Sequence, residues 1–263
     1  MRAWLDSQKV WDVADSLSKM TAISLFSGVG GLELGLSQFF HTLEYVENSP
    51  FCTKVLLARM ADGCLPSGKV IPDVKDYSPS PEVARNTDAV LAGFPCQGVS
   101  QAGCQAGMAD ERSALVSYVF KTWDKLLPGR RKLLLLENVS ALLSRNPGCR
   151  GLMNYVIQEC NRRGLKLTWC SIRLSNCGLA AGRKRIFLIA RAAGVNHFPA
   201  GLKEIPFSAW QTPWNPTSTV PMELWLKDEL TPEERLRLKS MGNIVVPKQA
   251  ALGACVLAKM QDV

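Results

Sequence analysis

Residues 22–47 read AISLFSGVGGLELGLSQFFHTLEYVE, and this stretch decides the fold. An apolar run at 22–26 predicts a strand. The glycines Gly28, Gly30 and Gly31 predict a tight turn that lets backbone approach a ligand closely. The spacing over 32–40 predicts a helix, and residues 43–47 a second strand ending in the acid Glu47. The pattern stops short of a full G-x-G-x-x-G, because Glu33 stands where a third glycine would be. On these residues alone, a plain turn and a cofactor loop are equally good readings.

The alternation continues along the chain. Strands are expected at 88–92, 133–136, 167–174 and 185–190, and helices at 50–60, 112–126 and 151–163. The runs at 88–92, 133–136 and 186–190 are apolar throughout, as strands covered on both faces are. Such alternation predicts an α/β fold, a doubly wound, mostly parallel sheet whose site lies at the carboxyl ends of the strands. Pro247 opens a last helix that runs through the alanine-rich 249–260.

Composition narrows the function classes. The 263 residues suit one large domain or one large plus one small, at roughly 150 residues per domain. No apolar run approaches the roughly 18 residues of a membrane span, so no membrane partner is expected. Residues 1–20 are polar and do not read as a signal peptide. Nine cysteines without a C-x-x-C pair predict free thiols in a reducing, cytoplasmic compartment and no structural metal. Two histidines exclude chemistry built on several imidazoles. The net charge of +8 is unevenly spread: residues 129–191 hold 13 basic and 2 acidic side chains, a local excess of +11. That excess points to a polyanionic partner or to solvated surface.

Candidate site residues fall at the expected strand ends. Glu47 can accept hydrogen bonds from a ribose or be an exposed carboxylate. Asp73 can receive an adenine amino group or cap a turn. The strand at 88–92 delivers Gly93-Phe94-Pro95-Cys96-Gln97-Gly98-Val99-Ser100. A lone cysteine is usually a small buried hydrophobe, yet Cys96 lies at the functional end of the sheet. Four leucines run into Glu137-Asn138-Val139, where partial desolvation would raise the acid's pKa and suit it to donate a proton, or where it caps a helix. Arg183 and Arg185, two apart at a strand, point together and suit phosphate or carbonyl oxygens.

The order of these pieces is more specific than any one of them. Phe-x-Gly-x-Gly-Gly, Pro-Cys-Gln, Glu-Asn-Val, Arg-x-Arg and then Gly242-Asn243-Ile244-Val245-Val246-Pro247 resemble the cytosine-C5 DNA methyltransferase family, bacterial or phage type. The resemblance runs over residues 21–259. It implies a Rossmann-like fold, S-adenosylmethionine as methyl donor, double-stranded DNA as partner and a host or phage-infected bacterial cytoplasm. By resemblance Cys96 is the nucleophile that adds to cytosine C6, Glu137 contacts the N3 edge, and Arg185 with Arg183 holds the base. Phe26, Gly28, Val29, Gly30, Gly31, Glu47, Asp73, Pro95 and Asn243 match the cofactor site. Gln97 and Ser100 lie in the loop that would close over the flipped base, Ser100 matching a family position that contacts phosphate, while Arg145 and Arg150 follow a strand's carboxyl end and are well placed for DNA.

Two departures stand out. Ala181 replaces a glutamine usual in the family, and only residues 192–240 stand where a much larger target-recognition domain is usual. That short, proline-rich region presents few side chains to base edges, so a short target sequence or a helper subunit is expected. The expected division is an extension at 1–20, a catalytic and cofactor domain at 21–191, a reduced recognition region at 192–240, and a returning helix within 241–263. An RNA-methylating relative on the same fold and an inactive nucleic-acid-binding regulator are the competing readings. A nicotinamide oxidoreductase is disfavoured by Glu33 and by Pro-Cys-Gln.

Overall fold

The computed structural model describes residues 19–95, 115–130, 132–144, 147–179, 182–192 and 245–260, with a few isolated positions between 194 and 236. Among the described residues, seven strands form one sheet: β1 (Met20–Leu25), β2 (Phe40–Val46), β3 (Lys69–Ile71), β4 (Ala89–Ala92), β5 (Leu133–Val139), β6 (Lys166–Arg173) and β7 (Lys184–Arg191). Their spatial order is β3-β2-β1-β4-β5-β7-β6. All ladders from β3 to β5 are parallel, and β7 alone runs against its neighbours. The chain winds outward from β1 to β3, then returns to place β4 on β1's other side. That reversal is the topological switch point, where open α/β sheets bind ligands.

The helices are α1 (Gly31–Leu36), α2 (Pro50–Ala61), α3 (Pro81–Asn86), α4 (Val116–Lys125), α5 (Pro147–Arg162) and α6 (Pro247–Lys259). Ser49 and Ser80 cap α2 and α3, each accepting a backbone N–H and each followed by proline at the first helical position. Two apolar layers cover the sheet. Leu133, Leu135, Phe187 and Ile189 pack with α1 and α6 residues on one face. Leu134, Leu136, Ile186 and Leu188 pack with α4 and α5 residues on the other. Alternate residues of β5 therefore serve opposite layers, as the strand's two-residue period requires. Small residues let α6 press closely on α1: a Cβ at Gly35 would stand 2.2 Å from the Pro247 carbonyl oxygen.

Several boundaries differ from expectation. The helix expected over 32–40 ends at Leu36 because the sheet claims its tail. Met20 N–H donates to the Phe39 carbonyl at 3.0 Å, and Phe40 is already in register with Met20. Both phenylalanines are buried there, and strand pairing with burial outweighs helical spacing. The helix expected from 151 begins at Pro147, which suits a first helical turn. The short elements β3 and α3 were not expected; six residues or fewer show too little periodicity to be read. Arg183 precedes β7 rather than lying in it.

Among the described residues, no helix is long and apolar enough to cross a membrane, and no group of three or more His, Cys, Asp or Glu could hold a metal ion. Among the described residues, Cys64, Cys160, Cys170 and Cys177 are free thiols.

Candidate active site

The glycine loop leaves β1 through strained backbone. Phe26 has φ +57°, a left-handed conformation that costs a side-chain-bearing residue of order 1–3 kcal/mol. Gly28 (φ +57°) and Gly30 (φ +84°) adopt it without that penalty. Ser27 N–H donates to the Val46 carbonyl, and Gly30 N–H to the Ser27 carbonyl. Glu47 braces the loop from β2's end. Its two carboxylate oxygens accept the N–H groups of Gly28 and Ser49, each at 2.8 Å. Lone pairs on both oxygens remain for a ligand.

Beneath the loop lies Glu33, which fills the place of the missing third glycine. It is 2% exposed and accepts the Ser24 hydroxyl, while Ser27 donates to Ser24. Burial lifts its pKa to about 7, a rise the Ser24 hydrogen bond opposes and the Glu47 charge adds to.

Phe26, Val46, Glu47, Asn48, Asp73, Val74, Lys75, Pro95 and Leu115 line one open pocket of about 220 Å³. Four residues expected from sequence, Phe26, Glu47, Asp73 and Pro95, thus come together, and Glu47 ties the glycine loop to them through Gly28 N–H. Asp73 Oδ1 accepts Lys75 N–H at 2.9 Å, so it also shapes the turn after β3. A carboxylate bracing a glycine loop, a second carboxylate and the apolar side chains of Phe26, Val46, Val74, Pro95 and Leu115 fit a nucleoside-bearing group. Asn48, Lys75 and Leu115 were not singled out from sequence; only adjacency to Glu47 and Asp73 marked the first two.

The second constellation stands at the ends of β4 and β5. Glu137 is buried, and its Oε1 lies 2.9 Å from Arg185 Nε. Val139 faces Arg185, and Glu137 faces Phe187, in the antiparallel β5–β7 ladder. Glu137 and Arg185 therefore share one face of the sheet. Burial pushes the Glu137 pKa up to about 7, against the lowering pull of Arg185 and then Arg183. Burial likewise lowers Arg183 to about 10, helped by the neighbouring Arg185 charge, which leaves it cationic at neutral pH. A Cβ at Gly93 would stand 3.5 Å from Glu137 Oε2 and 3.8 Å from the Phe26 carbonyl. Gly93, at the start of the stretch that leads to Cys96, therefore lies between the acid and the glycine loop's first residue.

Asn138 was missed from sequence. It is 2% exposed; its Nδ2 donates to the Phe94 carbonyl at 3.0 Å, and its Oδ1 accepts Val139 N–H at 2.8 Å. Its place between Glu137 and Val139 was the only clue. Cys96, Gln97, Ser100, Arg145 and Asn243 lie outside the described residues. Arg150 is exposed in the first turn of α5.

Comparison with known proteins bears on this arrangement. The family model for C-5 cytosine-specific DNA methylase matches residues 20–241. The Type II methyltransferase M2.BsuMI of Bacillus subtilis strain 168 is 35% identical over 173 residues, covering 65% of this chain and 42% of that protein. M.AplI of Arthrospira platensis, also a Type II methyltransferase, is 25% identical over 210 residues, 80% of this chain and 56% of the relative. The chain thus spans about half the length of these two relatives. In fold it is similar to the Entamoeba histolytica methyltransferase EhMeth, with a TM-score of 0.57 at 12% identity, over 93% of this chain and 97% of that one.

Proposed function

The chain belongs to the C-5 cytosine-specific DNA methylase family, and from that premise we propose that it transfers a methyl group from S-adenosylmethionine to C5 of a cytosine flipped out of double-stranded DNA. The observation that carries the reading is the buried Glu137–Arg185 pair set beside Gly93, at the start of the stretch that bears Cys96.

The pocket at the β1–β4 switch point would hold the donor. Glu47 would take the ribose hydroxyls, Asp73 the adenine amino group, and Phe26 with the Gly28–Gly31 backbone would flank the rest, joined by Asn243. Bound there, S-adenosylmethionine supplies an electrophilic methyl group. Cytosine C5 is a poor nucleophile, and the residues around Glu137 address that. The Cys96 thiolate adds to C6, forming a carbon–sulfur bond and pushing the ring's electrons toward N3 and C5. Glu137, protonated in a good fraction at neutral pH, donates to N3 and offsets the charge that develops there. Arg185, held at 2.9 Å from Glu137, orients the carboxyl and the base, with Arg183 adding positive potential. After C5 is methylated, its proton leaves to a base or water and the thiolate departs as the double bond re-forms. C5 and C6 are out of reach in a stacked duplex, so the base must leave the helix. Gln97 and Ser100 would close over it, and Arg145 and Arg150 would meet the backbone.

A duplex containing 5-fluorocytosine tests the proposal, because fluorine at C5 blocks the last elimination. The expected product is a covalent protein–DNA adduct that requires both S-adenosylmethionine and Cys96. Adduct formation or methyl incorporation on RNA alone would overturn the assignment to DNA. No adduct on either would leave a binding protein.

A further inference from the structure

The basic excess of residues 129–191 is only partly neutralised within the fold. Its two acids are Glu137 and Glu159. Arg185 pairs with the first, and Arg162 and Arg163 with the second. Arg163 also reaches Asp124, and Arg130 with Lys132 shares Asp88 at the amino end of β4. Arg191 donates to the Val195 carbonyl. Arg173 and Lys184 enter none of the ion pairs among the described residues, and both are exposed.

These two cations face each other. Arg173 is the Cα partner of Lys184, the last pair of the β6–β7 ladder. In the adjoining pair, Leu174 N–H donates to the Arg183 carbonyl at 2.9 Å. The alternation of antiparallel ladders then makes Arg173–Lys184 a non-hydrogen-bonded pair, the type whose side chains lie closest. Like charges placed so weaken a sheet. The core does not require them, since the neighbours Ile172 and Ile186 supply the packing. The pair occupies the functional end of the sheet: Lys184 directly precedes Arg185, which faces Val139 at the carboxyl end of β5, so by the two-residue period Lys184 and Arg173 point to the opposite face from Arg185 and Glu137.

We propose that Arg173 and Lys184 form a phosphate clamp that grips the nucleic-acid backbone at the same end of the sheet as Glu137 and Arg185, from its opposite face. The clamp rests on the nucleic-acid-methylating reading above and adds to it a site that recognises charge, not sequence. A phosphodiester relieves the repulsion between the two cations, and the arginine fork can meet its oxygens two at a time. An acidic protein surface would also neutralise the pair, but the base-holding groups at the same end of the sheet favour a nucleic acid.

The test is the salt dependence of duplex DNA binding by the full chain, with methyl transfer measured separately. Each phosphate contact contributes about 1 to the slope of log affinity against log salt, so R173Q/K184Q together should flatten it by about 2 and K184Q alone by about 1. The decrement should be the same on two unrelated sequences. K166Q, an exposed lysine at the opposite end of β6, should keep the wild-type slope. Without DNA, the double variant should melt at or slightly above the wild-type temperature. An unchanged slope in the double variant, or an equal loss in K166Q, overturns the clamp. If methyl transfer occurs and the slope does not move, the clamp fails and the enzyme reading stands. If the slope moves and no methyl is transferred, the reverse holds. A wild-type chain that binds no DNA overturns the clamp outright.

Discussion

Asn138 and Phe94 are joined by a 3.0 Å hydrogen bond from the Asn138 side-chain amide to the Phe94 carbonyl, buried between the ends of β5 and β4. Through it, the strand that carries Glu137 holds the backbone two residues ahead of Cys96. Asn138→Ala would leave that carbonyl without its partner, a cost of roughly 1–3 kcal/mol in stability. The expected catalytic effect is larger, a 10- to 100-fold fall in the rate of 5-fluorocytosine adduct formation, because a small misplacement of reacting groups costs about 100-fold. DNA affinity should change little. An adduct rate equal to wild type would show that Asn138 only supports the fold.

Glu137 should govern a basic limb of the pH profile. Its carboxyl, raised to about 7 by burial, is protonated below that pH and ionised above it. If it donates a proton to the ring, kcat/KM falls as pH rises through about 7. Glu137→Gln should lower kcat at least 100-fold and remove that limb, with DNA binding retained. Steady-state rates from pH 5.5 to 9 provide the check.

Glu33 should make stability depend on pH. Its folded pKa of about 7 lies above the ordinary 4.5, so the unfolded chain loses the proton first as pH rises. Stability contributed by the protonated form is present below about pH 4.5 and declines up to about pH 7, by at most roughly 3 kcal/mol. Glu33→Gln should therefore stabilise the protein at pH 8 and be near neutral at pH 4.5. Urea midpoints at the two values measure this; equal shifts at both would contradict it.

The bracing of the glycine loop by Glu47 predicts two linked losses. Glu47→Ala removes the acceptor for Gly28 and Ser49 N–H groups and the proposed ribose contact together. The KM for S-adenosylmethionine should rise tenfold or more, while binding of DNA in its absence stays within about twofold. Titration calorimetry with the cofactor separates this from a general loss of fold.

Much of the fold was legible because its signals are local. The runs at 133–136 and 186–190 are apolar over consecutive residues, and only strands buried on both faces need that. Gly28 and Gly30 marked the turn because left-handed backbone there penalises every other residue type. Glu47 and Glu137 were visible as acids at strand ends and Asp73 as an acid after a short run, and the order of the motifs along the chain pointed to one family.

Contacts between distant segments were decided by tertiary structure alone. The sequence on its own established the alternating α/β order, the carboxyl-end position of the acids and the surplus of cations in one stretch. Only the folded sheet showed that Asp88 takes Arg130 and Lys132, that Glu137 takes Arg185, and that Arg173 and Lys184 are left facing each other. The folded sheet also turned Glu33 inward onto Ser24 and set Asn138 against Phe94. The physical reason is range. Periodicity and turn chemistry act over a few residues, whereas desolvation and charge pairing depend on which segments, 40 or more positions apart as with Phe94 and Asn138, are brought together by the winding of the sheet.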